Sequence, residues 1–89
     1  MRVVVADDSM IVREGLARLL ADAGFAVVGK AETAQELLRR VELTSPDVAI
    51  VDIKMPPTHT DEGIAAAQQI RQNHPTIGVR VLSQYLESR

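Results

Sequence analysis

The sequence predicts an α/β fold in which helices cover both faces of a parallel sheet. Along the 89 residues, four short apolar runs alternate with segments whose apolar residues recur at helical spacing. The first and third runs are unbroken stretches of β-branched residues and alanine, which is typical of strands buried on both faces. Strands that alternate with helices are joined by right-handed crossovers and run parallel. We therefore expect a doubly wound α/β layer.

The first strand–helix unit is predicted from Val3–Ala6 and from the segment that follows Ser9. The strand ends at Asp7 and Asp8, and either Asp8 or Ser9 is suited to cap the helix. Gly24 lies where a left-handed residue ends a helix. The residues predicted to face the sheet are Val12, Leu16, Leu19, Leu20 and Ala23. The residues predicted to cover the polar face are Arg13, Glu14, Arg18 and Asp22.

The second unit begins with a weaker strand signal at Phe25–Val28, after which Gly29–Ala31 is expected to lead away from the sheet. Thr33 is a suitable N-cap, and Glu36, three residues later, completes a capping box. Ser45–Pro46 ends the helix. Its apolar face is predicted to consist of Leu37, Leu38 and Val41.

The third strand is predicted at Val48–Val51 and, like the first, is followed by an acid, Asp52. Two prolines make Met55–Thr60 a loop, because proline lacks a backbone donor and fixes φ. The last residue of that loop, or Asp61, caps the third helix. Its apolar face is predicted to include Ile64, Ala67 and Ile70.

The fourth strand is predicted at Val79–Leu82, after a helix end at Asn73–Pro75, and is followed by Ser83. No further strand is predicted after it, and the last helix has barely begun at Arg89.

Composition excludes several classes of function. The chain has no cysteine, which excludes a disulfide scaffold, a thiolate metal site and a thiol nucleophile. Ten basic and 12 acidic residues argue against an autonomous nucleic-acid-binding module. No apolar run approaches the ~20 residues that span a bilayer, and the N-terminus has no signal-peptide pattern. We expect a cytoplasmic domain without a membrane partner.

Polar side chains follow three of the predicted strands: Asp7 and Asp8 the first, Asp52 the third and Ser83 the fourth. In open α/β sheets, function lies beside the carboxyl ends of the strands. If the first and third strands are neighbours, three carboxylates converge, and each raises the pKa of the others unless a counter-charge is present. Mg²⁺ prefers such oxygen ligands. The alternative is that these acids are only turn and cap residues.

A nucleotide-binding site is the obvious competitor for this architecture. Its first strand is normally followed by a glycine-rich loop whose amides hold phosphate. Here the first strand is followed by Asp7–Met10, in which paired acids repel a phosphate unless a metal intervenes. The sequence therefore disfavours a dinucleotide or flavin cofactor.

These residues resemble the receiver domains of two-component response regulators. The core of the resemblance is Asp7–Asp8, Val48–Asp52, Lys54–Pro56 and Ser83. Three further segments are similar to the NarL/LuxR-type subfamily, the last of them to a subset of it: Val12–Leu16, Val81–Tyr85 and Pro56–Gly63. The resemblance spans essentially all 89 residues.

The resemblance implies a flavodoxin-like fold with strand order 2-1-3-4 and a function in signalling. Asp52 would accept a phosphoryl group from a sensor histidine kinase. Mg²⁺ (or Mn²⁺) would be held by Asp7, Asp8, Asp52 and the backbone carbonyl of Lys54. Ser83 would bond the phosphoryl group and act as a switch. Such a domain is not an enzyme beyond self-catalysed phosphotransfer and dephosphorylation.

The sequence departs from the family pattern at its C-terminal end. Receiver domains have a fifth strand that ends in a lysine, whereas the two lysines here are Lys30 and Lys54. We therefore interpret residues 1–89 as the N-terminal part of a receiver domain. The rest of the domain, and any helix-turn-helix domain that would bind DNA and control transcription, are absent from it. The fourth strand would then be an exposed edge, suited to a homodimer or to segment exchange.

Two alternative functions remain. One is an interaction module of the same fold that works by dimerisation without phosphorylation, which the missing lysine favours. The other is a phosphohydrolase of the haloacid-dehalogenase type, which also uses an acid at a strand end. That family requires a second aspartate two residues after Asp52, where this sequence has Lys54.

Overall fold

A computed structural model describes residues 1–53, 55 and 61–82 of the chain. Within this part, four strands alternate with three helices. The strands are β1 (Arg2–Ala6), β2 (Ala26–Ala31), β3 (Val48–Asp52) and β4 (Gly78–Leu82). The helices are α1 (Met10–Asp22), α2 (Ala34–Thr44) and α3 (Glu62–Asn73).

The four strands form one parallel sheet with the order β2-β1-β3-β4. The predicted strand order, 2-1-3-4, is therefore confirmed, together with the doubly wound α/β class. Ala6 pairs with Val51, and Val51 pairs with Val81. Because the register is this close, the residues that follow β1 and β3 emerge side by side at one edge of the sheet.

The main hydrophobic core lies between the sheet and helices α2 and α3. Alternate strand residues point into it, and the cluster consists of Val4, Ala6, Ala31, Leu37, Val41, Ala49, Val51, Met55, Ala66, Ile70 and Ile77. Val3 and Val5 are also buried, on the face where α1 lies against β1 and β2. Helices on both faces explain why the strands are continuously apolar.

The predicted N-caps of α1 and α2 agree with the observed ones, whereas Asp61 lies at the N-cap position of α3 without a side-chain capping bond. The Ser9 hydroxyl accepts from the amide of Val12, and the Thr33 hydroxyl accepts from the amide of Glu36. The Glu36 carboxylate accepts from the amide of Glu32, one residue earlier than in a standard capping box. Gly24 has φ of 97° and ends α1 in a Schellman motif, in which the amide of Phe25 donates to the carbonyl of Leu20.

The second strand is longer than the sequence predicts. It runs through Gly29–Ala31, which we expected to lead away from the sheet. The register with β1 shifts between Val3 and Val4, and the pairing then continues to Ala31. A lysine is tolerated within this strand because β2 is an edge of the sheet and the Lys30 ammonium reaches Glu14 at the surface.

The helix faces also differ from expectation at four positions. Arg13, assigned to the polar face of α1, is buried, and Ala17 is buried one turn later. Leu19 and Ala23, both assigned to the apolar face, are exposed, and Leu19 is 66% exposed. In α3, Ile64 is exposed, and the buried residues are Gly63, Ala66, Ala67 and Ile70. Where they approach the sheet, α1 therefore buries Ala17 and the bonded Arg13, and α3 buries Ile70 together with three small residues.

Among the described residues, no helix combines the length and the apolar character needed to cross a bilayer.

Candidate functional site

Three aspartates meet at the carboxyl edge of the sheet. Asp7 and Asp8 follow β1 directly, and Asp52 is the last residue of β3, the neighbour of β1 in the sheet. One carboxylate oxygen from each of the three lies within 4.8 Å of the others. The convergence predicted from the strand ends is therefore observed.

Burial makes this cluster different from an ordinary acidic surface. Asp7 is 1% exposed and Asp52 is 3% exposed, while Asp8 is more accessible. Buried carboxylates close to one another repel, and the arrangement favours a bound cation that balances their charge. Three carboxylate oxygens are a donor set that suits a hard divalent cation such as Mg²⁺. The residues present therefore fit that ion.

The turn after β1 holds Asp7 by its amide, its carbonyl and its side chain. Its amide donates to the carbonyl of Ala31 over 3.0 Å and so extends the pairing of β1 with β2. Its carboxylate Oδ1 accepts from the amide of Ser9 at 2.9 Å. Its carbonyl accepts from a guanidinium nitrogen of Arg13 at 2.8 Å. These bonds fix the direction in which the carboxylate points.

The other side of the site is fixed by the start of α3. The amide of Ile53 donates to the carbonyl of Leu82 at 3.1 Å, and the amide of Gly63 donates to the carbonyl of Ile53 at 2.8 Å. A Cβ atom on Gly63 would lie only 1.8 Å from the carbonyl oxygen of Asp52. The first turn of α3 therefore lies directly against the peptide of Asp52, and only glycine permits that approach.

A group of charged side chains lies behind the turn, between α1 and β2. The Arg13 Nε lies 3.9 Å from a carboxylate oxygen of Glu14, and its Nη2 lies 3.9 Å from a carboxylate oxygen of Glu32. The Lys30 ammonium is 2.8 Å from the carboxylate of Glu14. Its hydrogen bond lowers the pKa of Glu14 below the ordinary value of 4.5. Lys30 is therefore paired at the surface of β2.

Of the five site residues predicted from the sequence, the structure brings together Asp7, Asp8 and Asp52. The predictions for Lys54 and Ser83 lie outside the described residues.

Sequence reasoning missed the roles of two residues that touch the site. The hydropathy pattern of α1 predicts a solvated Arg13, because periodicity assigns every arginine to the polar face. Gly63 is part of a segment that carries the resemblance, yet a close approach between a helix and a distant strand leaves no periodic signal.

The chain matches the family of response regulator receiver domains over residues 3–89. It therefore belongs to that family, as the fold and the acid cluster led us to expect.

Individual relatives agree with this assignment. The chain is 40% identical over 79 residues to the response regulator GacA of Pseudomonas viridiflava, covering 88% of this chain and 36% of the relative. It is 41% identical over 69 residues to the transcriptional regulatory protein PdtaR of Mycobacterium tuberculosis, covering 78% of this chain and 32% of that relative. The chain thus spans about a third of the length of these curated relatives.

Two solved structures share the fold closely. A LuxR-family two-component response regulator from Aurantimonas sp. SI85-9A1 has a TM-score of 0.81 and 35% identity, covering 92% of this chain and 57% of that one. The isolated receiver domain of RcsB from Salmonella enterica, with the phosphomimetic BeF₃⁻, has a TM-score of 0.83 and 30% identity, covering 93% and 61%. The first of these likenesses agrees with the predicted resemblance to the NarL/LuxR type.

Proposed function

We propose that Asp52 accepts a phosphoryl group in a reaction that depends on Mg²⁺ or Mn²⁺. The observation that supports this most strongly is the position of Asp52: a buried carboxylate at the end of β3, within 4.8 Å of Asp7 and Asp8, in a chain of the receiver family. Phosphoryl transfer requires positioning and charge neutralisation more than covalent machinery. A rigid cluster of acids around a divalent cation provides both.

In the proposed reaction, a carboxylate oxygen of Asp52 attacks the phosphorus of a phosphohistidine on a sensor kinase. An O–P bond forms and the P–N bond breaks, its electron pair remaining on the imidazole nitrogen of the kinase. A bound Mg²⁺ would neutralise charge on the phosphoryl oxygens. Asp7 and Asp8 would hold that ion together with Asp52 and the backbone carbonyl of Lys54. Ser83 would donate a hydrogen bond to the phosphoryl group.

We further propose that the chain is a signalling phosphoacceptor and not an enzyme that turns over a separate substrate. Phosphorylation would shift it between two conformations. The names of its relatives, a response regulator and a transcriptional regulatory protein, support a role in transcription control. In that role residues 1–89 would serve as the N-terminal part of a cytoplasmic regulator whose DNA-binding domain lies outside them.

Intact-protein mass spectrometry tests the phosphoacceptor proposal. The chain is incubated with acetyl phosphate and Mg²⁺, and its mass is compared with that of Asp52→Asn and of Asp22→Asn, a matched change on the exposed side of α1. We expect one phosphoryl adduct in the wild type and in Asp22→Asn, none in Asp52→Asn, and none when the metal is chelated.

Two results would contradict the proposal. An adduct that persists in Asp52→Asn would place the acceptor elsewhere. A folded wild-type chain that forms no adduct would show that residues 1–89 do not carry out the chemistry.

A second candidate function is an interaction module that works without phosphorylation. Within the described residues, β4 forms one edge of the sheet, and a parallel edge strand offers unpaired backbone groups to another chain. This supports a homodimer through β4 or by exchange of a segment. Sedimentation over a range of concentrations tests it, and a strict monomer at the highest concentration would contradict it.

A further inference from the structure

Arg13 is a charged side chain buried in a helix whose other arginine is solvated. The Arg13 side chain is 10% exposed, whereas that of Arg18, five residues later in α1, is 82% exposed. Withdrawing a guanidinium from water is costly unless its donors are bonded. The contacts that Arg13 makes therefore indicate why the helix buries it.

Those contacts lie at the turn that carries the first two acids. A guanidinium nitrogen donates to the carbonyl oxygen of Asp7 at 2.8 Å, and two carboxylates, those of Glu14 and Glu32, stand 3.9 Å from the same side chain. The flanking carboxylates lie on α1 and on the segment after β2. The directed hydrogen bond of the guanidinium is made to backbone, at the first residue after β1.

That carbonyl belongs to the peptide that joins Asp7 to Asp8. Ala31 accepts from the Asp7 amide and Ser9 donates to the Asp7 carboxylate, so the bond from Arg13 fixes the remaining polar group of this residue. When the plane of this peptide is fixed, so is the direction in which the chain continues to Asp8. The relative placement of the two carboxylates therefore depends on this peptide.

We propose that Arg13 is a positioning residue for the acid cluster. It acts through the Asp7–Asp8 peptide and holds both carboxylates where they can share a divalent cation with Asp52. This inference rests on the proposed function, because it assumes that the cluster binds such an ion. Lysine is a poor substitute, since a guanidinium presents a planar fork of donors, whereas an ammonium is a point charge on a flexible stem.

The test is a titration with Mn²⁺ alone, followed by electron paramagnetic resonance of the free ion. Arg13→Met keeps a long apolar stem but removes the donors. Arg18→Met makes the same change on the exposed side of α1. Ala17→Gly destabilises α1 one turn beyond Arg13 without removing any contact to the Asp7 turn. Partners that orient metal ligands typically change affinity by about 10- to 100-fold, and we expect Arg13→Met to bind Mn²⁺ that much more weakly.

The controls separate positioning from stability. Arg18→Met and Ala17→Gly are expected to bind Mn²⁺ within twofold of the wild type. Without metal, the amide of Ser9 is expected to exchange with solvent faster in Arg13→Met than in Ala17→Gly, because that amide bonds the Asp7 carboxylate. If Arg13→Met does not fold, Arg13→Lys takes its place and is also expected to bind Mn²⁺ more weakly than Ala17→Gly.

The outcomes distinguish this inference from the proposed function. A folded wild-type chain that binds no Mn²⁺ would overturn both. If the wild type binds Mn²⁺ and Asp8→Asn does not, the cluster binds the ion. An Mn²⁺ affinity of Arg13→Met within twofold of the wild type would then overturn the role of Arg13 alone. An equal loss of affinity in Arg13→Met and Ala17→Gly would show that Arg13 contributes only stability.

Discussion

Helix α3 begins against the peptide of the proposed acceptor, and Gly63 is the residue at the contact. A Cβ at this position would lie 1.8 Å from the carbonyl oxygen of Asp52, 2.7 Å from its carbonyl carbon and 2.8 Å from the Cα of Ile53. All three atoms are backbone, so no rotation of a side chain relieves the overlap. Gly63→Ala therefore has to move either α3 or the end of β3.

The size of that movement follows from the contact distance. Real Cβ atoms essentially never approach closer than 3.0 Å, so the methyl group of Gly63→Ala and the oxygen of Asp52 must separate by at least about 1.2 Å, the difference between 1.8 and 3.0 Å. Overpacking of this kind typically costs about 1–3 kcal/mol. In a chain of this length, each kcal/mol lowers the melting temperature by about 4–8 °C.

Gly15 provides a matched control in the same chain. It lies inside α1, and an added Cβ meets nothing within 4 Å. Gly15→Ala is therefore expected to stabilise the protein by about 0.5–1 kcal/mol, the ordinary gain from replacing glycine in a helix. The same one-methyl change should thus have opposite signs at the two glycines. Urea unfolding followed by far-UV circular dichroism measures both.

The chemistry at Asp52 gives a second measurement on the same variant. A displacement of about 1 Å in a reacting group typically costs on the order of 100-fold in rate. We expect Gly63→Ala, at a temperature where it is folded, to form the phosphoryl adduct that much more slowly, and Gly15→Ala to match the wild type. A Gly63→Ala protein as stable as the wild type, with an unchanged rate, would refute the argument that α3 fixes the position of Asp52.

Three further predictions concern caps, charge and metal. Thr33→Ala removes the hydroxyl that bonds the Glu36 amide at 3.1 Å and should cost about 1 kcal/mol in urea unfolding; a change below about 0.3 kcal/mol would contradict it. Lys30 lowers the pKa of Glu14, so Lys30→Met should be less stable than the wild type above pH 4.5. The difference in stability should disappear as the pH falls through the lowered pKa of Glu14, and a difference independent of pH would contradict the pairing. Mg²⁺ at 100 times its dissociation constant should stabilise the wild type by about 2.7 kcal/mol and should have far less effect on Asp8→Asn, in which equal stabilisation would place the ion elsewhere.

The predictions from sequence succeeded where a local pattern has a single physical cause. Continuous β-branched runs gave the parallel strands, and the acids that end two of them met because those strands are neighbours. Thr33, and Ser9 as one of two candidates, were predicted as caps because a short polar side chain before a periodic segment satisfies free amides. Gly24 was recognised because the end of α1 requires a positive φ.

The predictions were wrong where a distant contact decides the outcome. β2 continues through Gly29–Ala31 because β1 offers it a ladder to follow, which its own composition does not reveal. Arg13 is buried because a backbone carbonyl outside its helix, that of Asp7, accepts a hydrogen bond from its guanidinium. Ile64 is exposed because α3 approaches β3 through Gly63. The face of α3 that turns toward the sheet therefore carries Gly63, Ala66, Ala67 and Ile70.

The two residues that the sequence did not reveal act on opposite sides of the same cluster. Arg13 bonds the peptide after β1, and Gly63 lets α3 lie against the peptide of Asp52. Each acts on backbone. The positions of the acids therefore depend on the start of α1 and the start of α3 as well as on the strands that carry them. A site built in this way holds its carboxylates in place before a cation binds, which is the arrangement expected of a preorganised site. It follows that a change at either helix start should weaken metal binding and adduct formation together, whereas a change at the caps of α2 should alter stability alone.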